Sequence, residues 1–382
     1  MQKSKPDIRM IARLIPPSGN LVQGQSEVAL DPTLAAALNE VIHEGLNHYS
    51  FFEGVPPLRR AIAEKIARFN RIEVDPERKP YEVLITPGAT GALVAVAHTY
   101  LRDATAILFE PYYPYHKKIL DTCGGHAEII PLHGANLQLD VDELRARCRT
   151  ALTRSEQPLK AIIVCTPTNP TGKVFTRAEL SAIAECCQEF NLLCIADEVY
   201  EHFVLGGGDH ISIGSFPDMR SRTITCNSFS KAWAISGWRL GYVYGDGALV
   251  GALHNIGNIY YVCTPTPLQH ALARVLLSDD HYYEKLRRAY VVKRGILARA
   301  LAQVGFEIYD SRSTFYMWAG IPAGFANAEE LNQFLIDRGQ VAGVPGNAFS
   351  DAPVGEQYMR FCFAREDDML TEAAQRIVQA LS

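Results

Sequence analysis

Residues 226–242 read CNSFSKAWAISGWRLGY, and how this stretch is understood decides the fold. Its first residues continue the apolar run RTITC, so a strand leaves a sheet here and Lys231 falls on the turn that follows. Small residues and Trp233 flank that lysine, which is poor material for a solvated charge run. Desolvation disfavours the ammonium form, and a neutral amine is what attacks a carbonyl to make a Schiff base. A few residues on, Arg239 precedes the next apolar run, LGYVY, and places a permanent positive charge near the same turn. Ser228 offers a hydroxyl to the anion that such an arginine would bind. An interior lysine paired with an acid explains the lysine equally well, so the rest of the chain has to decide.

Working outward, EVLIT, AILFE, AEIIP, AIIVC, LLCIA, RTITC and LGYVY alternate with helical patterns from Tyr81 onward. Most lack polar alternation, which predicts a largely parallel sheet buried on both faces, the core of an α/β fold. A long amphipathic helix begins at His281, followed by the shorter strands FEIYD, FYMWAGI and YMRFCFA and a closing helix from Glu366. Before the sheet lie an arm with Pro16, Pro17 and Gly19, a helix over Thr33–His43, and a second helix opened by Pro56 and Pro57. At 382 residues the chain suits two domains. We divide it into an arm at 1–44 that joins the smaller domain, a large domain at 45–280, and the remainder of the small domain at 281–382.

The formal charge of −5 and the absence of a basic run argue against nucleic acid as a partner. No apolar stretch has the length of a membrane span, and the N-terminus lacks the apolar core of a signal peptide. Nine cysteines without metal spacing point to reduced thiols, a cytoplasmic location and no metal site.

In α/β sheets, ligands sit beyond the carboxyl ends of the strands, and unusual polar residues collect there. After EVLIT, Gly88, Ala89 and Thr90 open a helix whose backbone N–H groups can cradle a phosphate. After AILFE comes Tyr113, a ring able to stack on a planar cofactor. After AIIVC comes Asn169, before Pro170, with an amide able to donate to a phenolic oxygen. After LLCIA comes Asp197, costly to bury without a cation, and Tyr200 three residues on would share a helical face with it. Each has a plain reading as turn or packing. Together with Lys231, Ser228 and Arg239 they match the needs of pyridoxal phosphate: an imine lysine, an anion for the ring nitrogen, donors for the ring oxygen, a stacking ring and a phosphate cradle.

The chain resembles the fold-type I pyridoxal-phosphate enzymes, in particular the class I/II aminotransferases that include the aspartate, aromatic and kynurenine types. The resemblance runs in order through LVQGQ, YSFFEGVPPLR, TPGATGAL, EPYYPY, TNPTGKVF, ADEVY, SFSKAWAISGWRLGY, VPGNAF and MRFCFA. It implies a seven-stranded, mostly parallel sheet domain with a smaller α+β domain, and transfer of an amino group between an L-amino acid and a 2-oxo acid. It puts the cofactor's imine on Lys231, Asp197 on the ring nitrogen, Tyr200 and Asn169 on the ring oxygen, and Tyr113 over the ring. Ser228, Arg239 and the Gly88–Thr90 backbone would bind phosphate, and Arg360, helped by the backbone around Gly24 and by Asn169, the substrate carboxylate. Tyr49 would reach the phosphate of a neighbouring subunit, making a homodimer with shared sites. Two departures stand out: Gln25-Ser26-Glu27 replaces an aromatic or Pro-Asp pair near the side-chain pocket, and Tyr113 replaces the commoner Trp or Phe. Aromatic residues near the expected entrance (Tyr49, Phe51, Tyr113, Tyr261) favour neutral or aromatic substrates over aspartate.

A lyase, decarboxylase or cyclising enzyme of the same fold would use nearly the same residues. GDGALVG, residues 245–251, loosely resembles a dinucleotide fingerprint and suggests a nicotinamide-dependent reductase. It lacks the acidic residue for the ribose and leaves Lys231, Asp197 and Arg239 unexplained.

Overall fold

The seven apolar runs become the strands of one sheet in the computed structural model, which describes residues 5–153, 156–310 and 313–382. They are β1 (Val83–Thr86), β2 (Thr105–Glu110), β3 (His126–Pro131), β4 (Leu159–Cys165), β5 (Leu193–Asp197), β6 (Thr223–Ser228) and β7 (Gly241–Gly245). Their order across the sheet is β1-β7-β6-β5-β4-β2-β3. Pairing is parallel from β6 through β5, β4 and β2 to β3, and β7 runs antiparallel to both neighbours. Alternate residues of the central strands enter different cores. Ala106, Leu108, Ala161, Ile163 and Ile195 pack on one face, while Ile107, Phe109, Ile162, Val164, Cys194 and Ala196 pack on the other. That is the physical reason for apolar runs without alternation, since both sides of each strand are dry. Each fully buried Leu or Ile contributes roughly 2 kcal/mol, so this scaffold can carry polar groups at its strand ends.

A second sheet follows: β8 (Glu307–Ile308), β9 (Tyr316–Gly320), β10 (Val344–Pro345) and β11 (Tyr358–Cys362), ordered β10-β11-β9-β8 and antiparallel throughout. The amphipathic run after His281 forms the helix Tyr282–Gln303, whose Tyr290, Leu297 and Leu301 enter a core shared with Leu34, Leu58, Tyr242 and Phe361. The arm joins this second sheet through a parallel bridge between Asn20 and Ala342. Strand β10 and the helix Ala328–Gly339 were not singled out in the sequence. Val344–Pro345 is too short to show a period, and the helix lies between strands that were read individually.

The glycines of GDGALVG are explained by packing. Asp246 caps the short helix Gly247–Gly251, and a Cβ on Gly247 or Gly251 would lie 2.5 Å from Pro80 atoms. Among the described residues, no helix is long and apolar enough to cross a membrane. All nine cysteines are free thiols.

Candidate active site

Segments that follow β1, β4, β5 and β6 meet beyond the carboxyl ends of those strands. After β6, Ser228 caps the single turn Phe229–Ala232 by accepting from the Ser230 backbone at 3.1 Å, and this turn presents Lys231. The Lys231 Nζ donates to the Gly24 carbonyl at 2.5 Å and lies 5.8 Å from the Phe315 ring centre. Burial pulls its proton affinity down to about 8, and the positive charges of Arg360 and Arg239 push the same way.

Beside it is an anion cradle. The helix Gly88–Tyr100 begins after Pro87 with no side-chain cap, so its first N–H groups are left for another acceptor. Gly88 has φ +70°, and a Cβ there would lie 2.5 Å from Arg239 Nη2. Arg239, itself left-handed at φ 56°, donates to the carbonyls of Ser236 (2.8 Å) and Pro87 (3.1 Å). Ala89 and Thr90 occupy the same first turn, and the Ser228 hydroxyl is 2.7 Å from that of Ser230. Uncapped amides, two hydroxyls and a guanidinium form a donor set suited to a phosphate.

Asp197, the last residue of β5, is 3% exposed. Its Oδ2 accepts from His116 Nε2 at 2.8 Å. His116, in the helix Pro114–Thr122, was not among the expected site residues. It lies three positions after Tyr113, which caps that helix, and one turn brings both to the strand ends. The two rings meet edge to face at 5.3 Å. Tyr200 lies on a turn after β5, not on the helix that spacing suggested. Its hydroxyl is 2.9 Å from that of Tyr316, and burial raises its pKa, reinforced by Tyr316.

Tyr316 was also missed, and it links the expected residues. Its ring lies 4.3 Å from the Arg360 guanidinium, which has Phe349 at 4.7 Å. A Cβ on Gly24 would lie 1.7 Å from the Tyr316 hydroxyl, so only glycine fits there. Arg360, 2% exposed, donates to Asn169 Oδ1 (2.9 Å) and to the Val22 carbonyl (2.6 Å). Its Nε is buried without a hydrogen-bond partner among the described residues. A buried guanidinium held on two sides with one donor unpaired is ready for a carboxylate. The Gly24 carbonyl faces Lys231 as an acceptor, so that oxygen offers nothing to a carboxylate.

Beneath these groups is a polar network that the sequence reading did not assemble. Glu201 takes bonds from Lys65, from Asn70 (2.7 Å) and from Asn227 (2.7 Å), all buried. Asn227 Oδ1 in turn accepts from the Ser228 backbone at 2.7 Å. Burial alone would raise Glu201, but the Lys65 ammonium overcomes it and holds the carboxyl below its ordinary range. The adjacent pairs Tyr200–Glu201 and Asn227–Ser228 are thus fixed to each other by one charged cluster.

Tyr49, expected to serve a neighbouring subunit, and Tyr261 lie outside this contact network. Tyr49 is 86% exposed and lines a separate cavity of about 490 Å³ with Leu46, His48, Phe51 and His270. Tyr261 packs on Phe52 at 5.5 Å.

The family model for aminotransferase class I and II matches residues 18–377. A probable N-succinyldiaminopimelate aminotransferase of Mycobacterium tuberculosis is 34% identical over 371 residues, covering 94% of this chain and 91% of that protein. An aspartate aminotransferase of Pyrococcus abyssi is 32% identical, covering 90% and 86%. Among solved structures, the M. tuberculosis N-succinyldiaminopimelate aminotransferase superposes with a TM-score of 0.90 at 32% identity, covering 98% and 96%. An Escherichia coli protein described with a methionine aminotransferase function gives 0.90 at 27% identity, covering 99% and 97%.

Proposed function

The chain belongs to the aminotransferase class I and II family, and from that premise we propose how its residues divide the work of moving an amino group from an L-amino acid to a 2-oxo acid. The cofactor is pyridoxal 5'-phosphate. Lys231 would hold its carbonyl carbon, the Gly88–Thr90 backbone with Ser228 and Arg239 its phosphate, and Asp197 its ring nitrogen. Tyr200 and Asn169 would serve the ring oxygen, and Tyr113 the ring face. When bound, the cofactor supplies an electron-withdrawing ring that stabilises negative charge at the substrate's Cα.

The observation that carries this reading is the amine of Lys231, drawn down to about 8 in a cleft that also holds Arg360 with its unpaired Nε. Arg360 orients the amino acid through its α-carboxylate. The Lys231 amine would serve as the nucleophile that holds the cofactor and, when free, as the base for the Cα proton. Asp197, held by His116, would be the group that meets the ring nitrogen. Amino acid and oxo acid use the site in turn, giving a ping-pong sequence.

The side chain we assign to this site is neutral or aromatic, because Tyr113, Tyr316, Phe349 and Phe315 surround the charged groups. Arg239 is assigned to the phosphate and Arg365 is committed to backbone carbonyls, leaving neither for a distal carboxylate. Tyr49 and Phe51 (79% exposed), with Ile259 (79%) and Tyr260 (58%), suit a face covered by a second copy. In that dimer Tyr49 would complete the partner's phosphate site. Nine free thiols fit a reducing compartment such as the cytoplasm.

Borohydride reduction of the cofactor-loaded protein followed by peptide mapping should label Lys231. An accepted amino acid should convert the bound cofactor to its amine form and prevent labelling. Label on Lys173, or an amino acid that releases carbon dioxide or ammonia without that conversion, would overturn the reading.

A further inference from the structure

Residues 21–27 form a strap without regular secondary structure that bonds to both Lys231 and Arg360. Successive carbonyls of this strap are held from the same place. Leu21 accepts from the Cys362 backbone (2.7 Å), Val22 from Arg360 (2.6 Å) and Gly24 from Lys231 (2.5 Å). Asn20, Gln23 and Gln25 all accept from Arg365, at 2.5, 3.1 and 3.3 Å. Arg365 also pairs with Glu27 at 2.8 Å, and its side chain is 2% exposed.

A buried arginine is an expensive way to fill space, since its charge must be desolvated and every donor satisfied. Here the satisfaction comes mainly from main-chain oxygens of one short segment, so what the guanidinium recognises is the path of that segment. Its planar fork fixes several acceptors at once, which a flexible ammonium does not. The residues it holds alternate with those that face the chemistry. Gln23 lies between Val22 and Gly24, and Asn20 and Gln25 flank them.

We propose that Arg365 is a positioning residue for amino-group transfer: by clamping the strap, it sets the Val22 carbonyl against Arg360 and the Gly24 carbonyl against Lys231. The inference rests on the roles given above to Arg360 and Lys231. Arg365 touches neither substrate nor cofactor and acts through the strap alone. Without it, Arg360 loses the carbonyl that fixes its second amino group, and the carboxylate clamp swings away from the productive orientation.

The test compares Arg365→Ala and Arg365→Lys with the parent, using an accepted L-amino acid and the amine that remains when its carboxylate is removed. Arg365→Ala should lower kcat/KM for the amino acid by about a hundredfold, the scale of a misplacement near 1 Å. The amine should lose far less, so the ratio of the two falls. A mere loss of folded protein would lower both equally and leave the ratio unchanged. In the cofactor-free protein, amide hydrogen exchange should quicken in peptides covering 20–27 and stay constant over β2. An unchanged ratio, or unchanged exchange in the strap, overturns the proposal. Should Arg365→Ala not fold, Arg365→Lys carries the same comparison with an expected loss of about tenfold, one RT-scaled step of 1.4 kcal/mol. Arg360→Lys serves as the reference. If that variant keeps the parent ratio, the reading of the site fails, while strap exchange still reports on the clamp. If it loses the ratio and strap exchange is unaffected by Arg365→Ala, the clamp alone fails.

Discussion

Lys231 must be neutral to attack and must later accept a proton, so its affinity for protons has to lie near the working pH. An exposed lysine near 10.4 would be almost wholly charged at neutrality. Burial and two nearby arginines bring Lys231 to about 8. The cofactor-free protein should therefore react with an amine-directed reagent at Lys231 with a half-point near pH 8, while exposed lysines react only well above it. The sign for stability follows. The folded-state value lies below the unfolded one, so the unfolded chain binds more protons between about 8 and 10.4, and this group's contribution to stability rises with pH across that window. A half-point above about 10 would show that Lys231 is not desolvated as described. The lysine was legible in the sequence because its small and aromatic neighbours are poor material for a solvated charge. The Arg360 sandwich was not, because Tyr316 and Phe349 come from other segments and carry no signal until the second sheet is folded.

Strand ends, more than individual residues, made the site readable. Ligands of an α/β sheet sit beyond the carboxyl ends of its strands, so Asp197, Asn169 and Ser228 could be located from the ends of β5, β4 and β6 before any contact was known. Elements turned by other means escaped the reading. His116 belongs to the helix Pro114–Thr122, and the turn that holds Tyr200 looked helical by spacing. The helix Gly88–Tyr100 offers a test at this scale. Gly88 at φ +70° leaves the space that Arg239 fills, and an alanine there meets both backbone strain and the guanidinium. Strain of this kind costs about 1–3 kcal/mol. Gly88→Ala should weaken pyridoxal phosphate by at least about tenfold, 1.4 kcal/mol, yet leave pyridoxal, which lacks the phosphate, nearly unaffected. Equilibrium titration of cofactor-free protein with both compounds measures this directly. An equal loss for both would place the defect in the ring site and not in the cradle.

At the scale of the whole molecule, two sheets meet at the cleft, and the arm ties them by bonding to β11 residues and to Lys231 alike. That long-range closure could not be read from periodicity, because the strap has none. The family resemblance supplied it, and it supplied Tyr49 as well. In one chain Tyr49 is 86% exposed and belongs to a cavity apart from Lys231. An aromatic ring left in water beside Phe51 is a poor investment for a monomer and a sensible one for a face that a second copy covers. If Tyr49 serves the partner's phosphate, each site draws on two chains. Tyr49→Ala should then weaken cofactor binding without disturbing the fold of its own chain, and Lys231→Ala should abolish turnover. Mixed under conditions of subunit exchange, the two inactive chains would form heterodimers in which one site has both its lysine and its partner tyrosine intact. Activity should return to at most about a quarter of the parent value: random pairing makes half of the dimers mixed, and each mixed dimer holds one whole site of two. Light scattering would confirm the dimer, and mass spectrometry of differently labelled chains would confirm exchange. Exchange without recovered activity would mean that Tyr49 acts within its own chain or not at all.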